Sequence, residues 1–378
     1  MNQSKGTLQR LAYFLITLVI TGYLLIIGKF IIVPLLFAAL LSVMIQPLCN
    51  WLDRFIKWKG PVILLSFLIL LLPVTGIITL FTYQLGDVIQ NMPAITGNIE
   101  NTIDVLFNWL NENFGITKAE SWNYFKSNFL KILDAPVKFI QSGLSSSTTV
   151  LINVFMVILF MFFLLLYRKA IKNFILVQFS NHKREKGREI LNQIQKLVRK
   201  YLYGLLTVIL ILAVLNSIGL WLIGLSYPVF WASLAALLSI IPYVGTTIGG
   251  LLPFLYAVAT ATFWWQPLLV IALYFTVQQI EGNLITPYVV GSNVKINPLV
   301  AIIALLIGGV FWGLSGIVLA LPLIAIIKLI FDNIDGLKPV GALMGNNLHK
   351  QEQVFFNRFD EDKYRLRSML DGNQEPSE

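Results

Sequence analysis

Between Tyr201 and Ile280, eighty consecutive residues include no Asp, Glu, Lys, Arg or His. The next forty-seven, to Ile327, add only Glu281 and Lys295. A water-soluble domain needs charge on its outward faces, so this absence excludes one. Lipid makes no such demand, and the chain reads as an integral membrane protein. Its two interrupting charges become the first candidates for function, because an ionisable group at membrane depth is costly. Other scarcities narrow the chemistry. The one cysteine, Cys49, cannot close an intrachain disulfide and reads as a small apolar residue. No Gly-x-x-x-x-Gly-Lys-Ser/Thr run occurs, which argues against an ATP-driven pump. Gly313-Leu314-Ser315-Gly316 fits the surroundings of an intramembrane serine nucleophile, but that chemistry needs a membrane-embedded base. The two histidines, His182 and His349, both lie in polar segments. Neither His nor carboxylates cluster, so no metal, no cofactor and no enzymatic activity are expected.

Hydrophobic residues make up 57% of the chain and charged ones 12%, which points to one polytopic domain with soluble appendages. The net charge of +9 resides in loops between apolar segments. It therefore reports topology rather than a nucleic-acid surface. A spanning helix takes about 20 apolar residues. Leu11–Ile27, Phe30–Cys49, Pro61–Tyr83, Val150–Tyr167, Tyr201–Ile223 and Pro267–Ile280 qualify or come close. Lys5 and Arg10 precede the first of these as in a signal peptide. However, no small-x-small cleavage site follows, so a retained helix is expected. Arg54, Lys57 and Lys59 follow the second segment, and ten Lys/Arg against Glu185 and Glu189 lie between Arg168 and Lys200. The positive-inside rule places both loops and the N-terminus in the cytoplasm.

The expected fold class is all-α: a polytopic helical membrane protein of seven or eight transmembrane segments. Residues 1–83 would hold the first three helices and 84–149 an extracytoplasmic, mostly helical insert. A fourth helix would cover 150–167, and a basic amphipathic linker 168–200, able to lie on anionic headgroups or pack on a neighbour. The transmembrane core would run from 201 to 331, with a polar tail over 332–378.

Two segments of that core are too long for one helix and carry Gly and Pro in the middle. In lipid a helix breaks only where protein or water covers the freed backbone groups. The first break is read over Pro242, Tyr243, Gly245, Thr246, Gly249 and Gly250. The second is read over Gly308, Gly309 and Gly313. Interrupted segments in corresponding places point to a transporter's substrate site; the alternative is a glycine-lined helix contact. Between them, Gln278, Gln279, Glu281 and Asn283 form a polar island that Pro287 is expected to end. By helical spacing Gln278, Glu281 and Ile285 share one face, and Gln279 and Asn283 another. Glu281 must pair, face water or take up a proton, and Lys295 is the candidate ion-pair partner. The alternative is an interfacial anchor.

The runs Ile241-Pro242-Tyr243-Val244-Gly245 and Gln279-Ile280-Glu281-Gly282-Asn283-Leu284-Ile285-Thr286-Pro287, then Val290-Gly291, Asn297-Pro298-Leu299, Gly308-Gly309 and Leu321-Pro322-Leu323, resemble the autoinducer-2 exporter family of bacterial permeases. The resemblance covers about residues 10–335, and the stretch around Glu281 is its specific part. Thr246 stands where the family usually has a second Pro. The resemblance implies multi-pass transport in the bacterial inner membrane without ATP. It implies export of autoinducer-2 for some members and sodium/proton antiport for others. The resulting expectation is alternating-access export of a small polar molecule, coupled through Glu281 to H⁺ or Na⁺. A Na⁺/H⁺ antiporter and a passive channel are the alternatives. The expected partners are the bilayer, the substrate, the coupling ion and further copies of the chain.

Overall fold

The computed structural model describes residues 2–114, 147–240, 244–289, 296–346 and 359. Among these the protein is helical, with no strand. In chain order the helices are α1 (Asn2–Ile27), α2 (Lys29–Leu52), α3 (Lys59–Phe114), α4 (Ser147–Leu166), α5 (Arg168–Val177) and α6 (Arg184–Ile223). They continue as α7 (Pro228–Leu238), α8 (Val244–Thr260), α9 (Gln266–Ile280), α10 (Thr286–Val289), α11 (Pro298–Trp312), α12 (Leu314–Asn333) and α13 (Lys338–Leu343). Among the described residues six stretches are long and apolar enough to cross a membrane: Lys29–Leu52, Lys59–Gln90, Thr148–Leu166, Asn181–Ile223, Gln266–Ile285 and Leu314–Asn333. This is a polytopic helical membrane protein.

Two helices run further than the hydropathy pattern alone indicates. The third continues past Tyr83 without a break to Phe114. The basic stretch before Tyr201 is continuous with the apolar helix after it, giving the 40-residue α6. Polar residues inside a long helix do not end it, because the backbone ladder is indifferent to what the side chains face.

The chain divides into two compact units. The first comprises Met1–Ser66, Ile152–Leu202 and Ser292–Glu378. Its core joins Leu40 of α2, Val198 of α6 and Leu319 of α12, flanked by Phe37, Leu197 and Leu323. The indole of Trp312 donates to the Leu25 carbonyl at 2.9 Å, fastening the end of α11 to α1. Asn297 caps α11 by accepting from the Val300 amide at 2.8 Å, and donates through its amide to the Leu343 carbonyl at 2.7 Å. One side chain thus satisfies an orphan helix donor and holds α13.

The second unit comprises Phe67–Leu151 and Tyr203–Gly291. One cluster in it gathers Leu85, Val88, Leu220, Phe230, Trp231, Tyr256 and Val270. A smaller one gathers Val208, Leu212, Ala236, Val277 and Ile285. The buried Gln266 donates to the Ile223 carbonyl at 2.9 Å and accepts from the Phe263 amide at 3.1 Å. It closes the C-terminus of α6 and the turn before α9 with one amide, as a buried helix end requires.

The two interrupted segments fold alike. Each begins with Pro in the first helical turn, at Pro228 and Pro298, and each doubles back as a helical hairpin. Helix α7 has 11 residues, about 16 Å of rise, and α11 has 15, about 22 Å. Both fall short of the roughly 30 Å hydrocarbon core. The second hairpin corrects the sequence expectation. Helix α11 runs through Gly308 and Gly309, and the chain turns at Gly313, with φ 61° and ψ −138°. Only glycine occupies that conformation without strain. Gly308 is a packing residue: a Cβ there would collide with the Gly316 backbone carbonyl of α12. The first hairpin uses the same device. A Cβ on Gly245 would strike the backbone of Leu238 and Ser239, and one on Gly249 would come within 2.9 Å of Ala235 Cα. Small residues let two backbones touch where lipid supplies no hydrophobic drive for association.

Gly308→Ala should therefore destabilise the purified protein by about 1–3 kcal/mol, because its methyl has no space. Gly309→Ala, whose Cβ would sit 3.4 Å from Ile317, should be nearly neutral. Thermal unfolding in detergent checks this, and equal shifts for the two variants would contradict the packing assignment.

Candidate functional site: a carboxylate on a widened turn

Helix α9 does not stop at Pro287. It passes into one turn of π-helix, Glu281–Ile285, and then into α10, which contains Pro287. The chemistry of Pro287 gives the reason. It has no N–H, so the Asn283 carbonyl has no α-helical donor four residues on. The ladder widens just before it: the Thr286 amide bonds the Glu281 carbonyl five residues back. Gly282 and Asn283 are weak helix formers, which lowers the cost of widening. Ile285 is buried against Val208, Leu212, Ala236 and Val277, fixing the turn to α6 and α7. Single π-turns of this kind often mark functional sites.

The widened turn changes what Glu281 can touch. In an α-helix, residues five apart lie about 140° around the axis and do not meet. Here the Thr286 hydroxyl donates to Glu281 Oε1 at 2.6 Å. The Gln278 amide donates to Oε2 at 2.7 Å. Both oxygens of a half-buried carboxylate are thus held by neutral donors. Among the described residues no Lys or Arg pairs with it. On the exposed face Asn283 donates to Gln279 at 3.4 Å, a second and weaker contact.

Such a shell accommodates either protonation state. Ionised, the carboxylate accepts from both neighbours. Protonated, it can donate to Thr286, whose hydroxyl also accepts, or to the Gln278 carbonyl after the amide turns. A partner Lys or Arg would hold it ionised instead.

Further polar groups border the larger core of the same unit. Gln84 Oε1 on α3, Asn216 Oδ1 on α6, the Trp231 indole N–H on α7 and the Tyr274 hydroxyl on α9 are buried without a hydrogen-bond partner. Gln84 adjoins Leu85, Asn216 lies one turn before Leu220, Trp231 belongs to the cluster, and Tyr274 packs against it. Buried polar atoms are normally paired, so these four are candidates for contact with a polar molecule.

The family comparison agrees with this architecture. Residues 14–336 match the family described as AI-2E family transporter. The chain belongs to that family. "Putative transport protein YrrI" of Bacillus subtilis is 25% identical, over 84% of this chain and 90% of that protein. "Putative transport protein YueF" of the same organism is 27% identical, over 87% and 92%. "Putative transport protein YhhT" of Escherichia coli K12 is 23% identical, over 83% and 88%. The protein is thus a multi-pass membrane transporter of the AI-2E family.

Set on this AI-2E scaffold, the residues singled out from the sequence separate. Gln278, Glu281, Gln279 and Asn283 lie on or just before the π-turn. Gly245, Thr246, Gly249 and Gly250 fall inside α8 rather than in a break. Gly308, Gly309 and Gly313 belong to the first unit, whereas the Glu281 cluster belongs to the second. Pro242, Tyr243 and Lys295 lie outside the described residues, as do Val290 and Gly291. Thr286 was missed as a partner because 3.6-residue spacing sets it off the Glu281 face. The available signal was Pro287, whose missing donor forces the ladder to adjust. The polar atoms of Gln84, Trp231 and Tyr274 were hidden in apolar runs, where an aromatic ring or one amide reads as core.

Removing the Thr286 donor should cost about 1–3 kcal/mol, since the half-buried Glu281 Oε1 loses its partner. Thr286→Ser should largely restore it. In a Glu281→Gln background the loss from Thr286→Val should fall below about 1 kcal/mol. A double-mutant cycle by thermal unfolding measures this, and strict additivity would show that the two side chains do not interact.

Proposed function

We propose that this AI-2E transporter exports a small polar organic molecule by alternating access, with Glu281 as the carboxylate that takes up and releases the coupling proton. The supporting observation is the shell around Glu281: two neutral donors, a hydroxyl able to reverse its role, and no paired cation among the described residues. Gln278 and Thr286 hold the carboxylate; Gln279 and Asn283 supply polar contacts on the exposed face. The orphaned atoms of Asn216, Trp231, Tyr274 and Gln84 give a polar solute hydrogen bonds that it would otherwise leave in water. The close-packed hairpins provide rigid pieces that can shift as units, since backbone contact locks the two arms of each together.

The same shell disfavours a dedicated sodium site. Cation sites gather several oxygen ligands, whereas both neighbours present N–H or O–H donors to Glu281. Autoinducer-2, a small polyol-like signal, fits the donor and acceptor groups better than a bare cation does. Ser315 has no place in this scheme, and His182 sits exposed in the Asn181–Lys183 turn. The basic loops support a cytoplasmic N-terminus, and membership of a family of bacterial transporters supports an inner-membrane location.

The test is flux in proteoliposomes with an internal pH dye, comparing autoinducer-2, small neutral polyols and a Na⁺ gradient. The expected result is saturable solute flux accompanied by proton movement. Glu281→Gln should reduce proton-coupled flux at least about tenfold, a barrier change of about 1.4 kcal/mol or more. Unchanged flux and pH dependence in that variant would overturn the assignment of Glu281. Sodium-driven proton movement lost in the variant would make the protein an antiporter instead, and flux that never saturates would make it a channel.

A further inference from the structure

The first unit contains a cavity of about 410 Å³ that transport through the Glu281 cluster does not use. Its polar wall consists of Ser42, Gln46 and Asn50 from α2, Arg168, Lys169 and Lys172 from α5, and Gln195 from α6. Among the described residues no acidic side chain lines it. Asp53 lies behind it and bonds Arg168 at 2.6 Å, with the two side chains 33% and 20% exposed. That contact fixes the guanidinium and neutralises one of three cations, leaving other N–H groups to donate.

The amides are oriented as well. Arg199 donates to the carbonyl oxygen of Gln46 at 3.2 Å and to that of Gln195 at 3.4 Å. With both acceptor ends occupied by one arginine, each glutamine has its NH₂ left to offer. The wall is therefore rich in donors: a positioned guanidinium, two ammonium groups and the amides of Gln46 and Gln195, with Ser42 and Asn50 beside them. A donor-rich cavity of net positive charge suits an oxyanion, since several donors together match the acceptor oxygens of a phosphate group.

The rest of the lining is apolar, from Leu164 and Leu165 of α4 and from Ile171 and Ile175 of α5. Helix α5 also carries Phe174 and Val177 on its outside, 68% and 65% exposed, beside its lysines. A short helix with exposed apolar and basic residues together is built to lie at a bilayer interface. Cations at headgroup level with apolar wall beside them match a phosphate that continues into acyl chains. We propose that this cavity binds the phosphate of an anionic phospholipid headgroup, with Arg168, Lys169, Lys172, Gln46 and Gln195 as ligands. The site is independent of the transport reading above, and either can fail alone.

The experiment uses the full chain in detergent, titrated with phosphatidylglycerol, phosphatidylcholine or inorganic phosphate, and followed by thermal unfolding and native mass spectrometry. Phosphatidylglycerol should raise the unfolding temperature and remain bound as discrete adducts, and phosphatidylcholine should do neither. The double variant Lys169→Gln/Lys172→Gln should weaken phosphatidylglycerol binding at least about tenfold, since a basic residue at a lipid surface contributes about 1 kcal/mol. Lys183→Gln/Lys186→Gln removes two exposed lysines outside the cavity and should leave binding unchanged. Stabilisation by inorganic phosphate that depends on Lys169 and Lys172 would assign the same phosphate chemistry to a free anion instead of a lipid. Equal stabilisation by both lipids, or equal losses in the two double variants, would overturn the site, because binding would then reflect apolar contact or diffuse charge.

Discussion

The bilayer leaves no backbone N–H or C=O unpaired, and nearly every feature of this protein follows from that constraint. It forces the chain into helices and makes each interruption costly. Where interruptions occur, the freed groups are covered. Gln266 bonds the end of α6, Trp312 bonds the end of α1, and Asn297 caps α11 while holding Leu343. The hairpins cover themselves, with glycines bringing the arms into backbone contact. At Pro287 the helix widens by one residue rather than breaking, and the Thr286 amide still finds the Glu281 carbonyl.

That last adjustment links backbone necessity to chemistry. Without the π-turn, Thr286 would point away from Glu281 and the carboxylate would keep one partner. With it, a potentially charged group gains two neutral donors and can remain half-buried in an otherwise uncharged region. Neutral partners matter because a hydroxyl and an amide each carry an acceptor as well as donors, which a paired cation does not. A proline, weak helix formers ahead of it and a threonine five residues after the acid are together enough to assemble the arrangement.

Much of this was legible in residue order, for identifiable reasons. Long uncharged runs announce helices in lipid, and α2, α4 and α9 fall where the apolar stretches lie. The isolation of Glu281 marked it at once, and the pairs Gln278/Glu281 and Gln279/Asn283 do meet across one helical turn. What was not legible depends on tertiary contact. Gly308 and Gly313 look alike in a glycine-rich run, and only the α11–α12 contact separates a packing glycine from a turning one. The continuity of α3 and α6 was hidden because changing polarity looks like an element boundary while the backbone ladder ignores it. The Thr286 contact was hidden because fixed periodicity admits no extra residue in a turn. The amide pair aimed by Arg199 joins residues 153 positions apart in the chain, beyond any local pattern.

The central claim is that Glu281 changes protonation during transport. Infrared difference spectroscopy of the reconstituted protein, triggered by adding the solute that the flux assay identifies, reads this directly through the carbonyl stretch of a protonated carboxyl group. The account predicts a carboxyl band that changes when solute binds and disappears in Glu281→Gln. A solute-induced spectrum with no carboxyl band, or one unchanged in that variant, would contradict it.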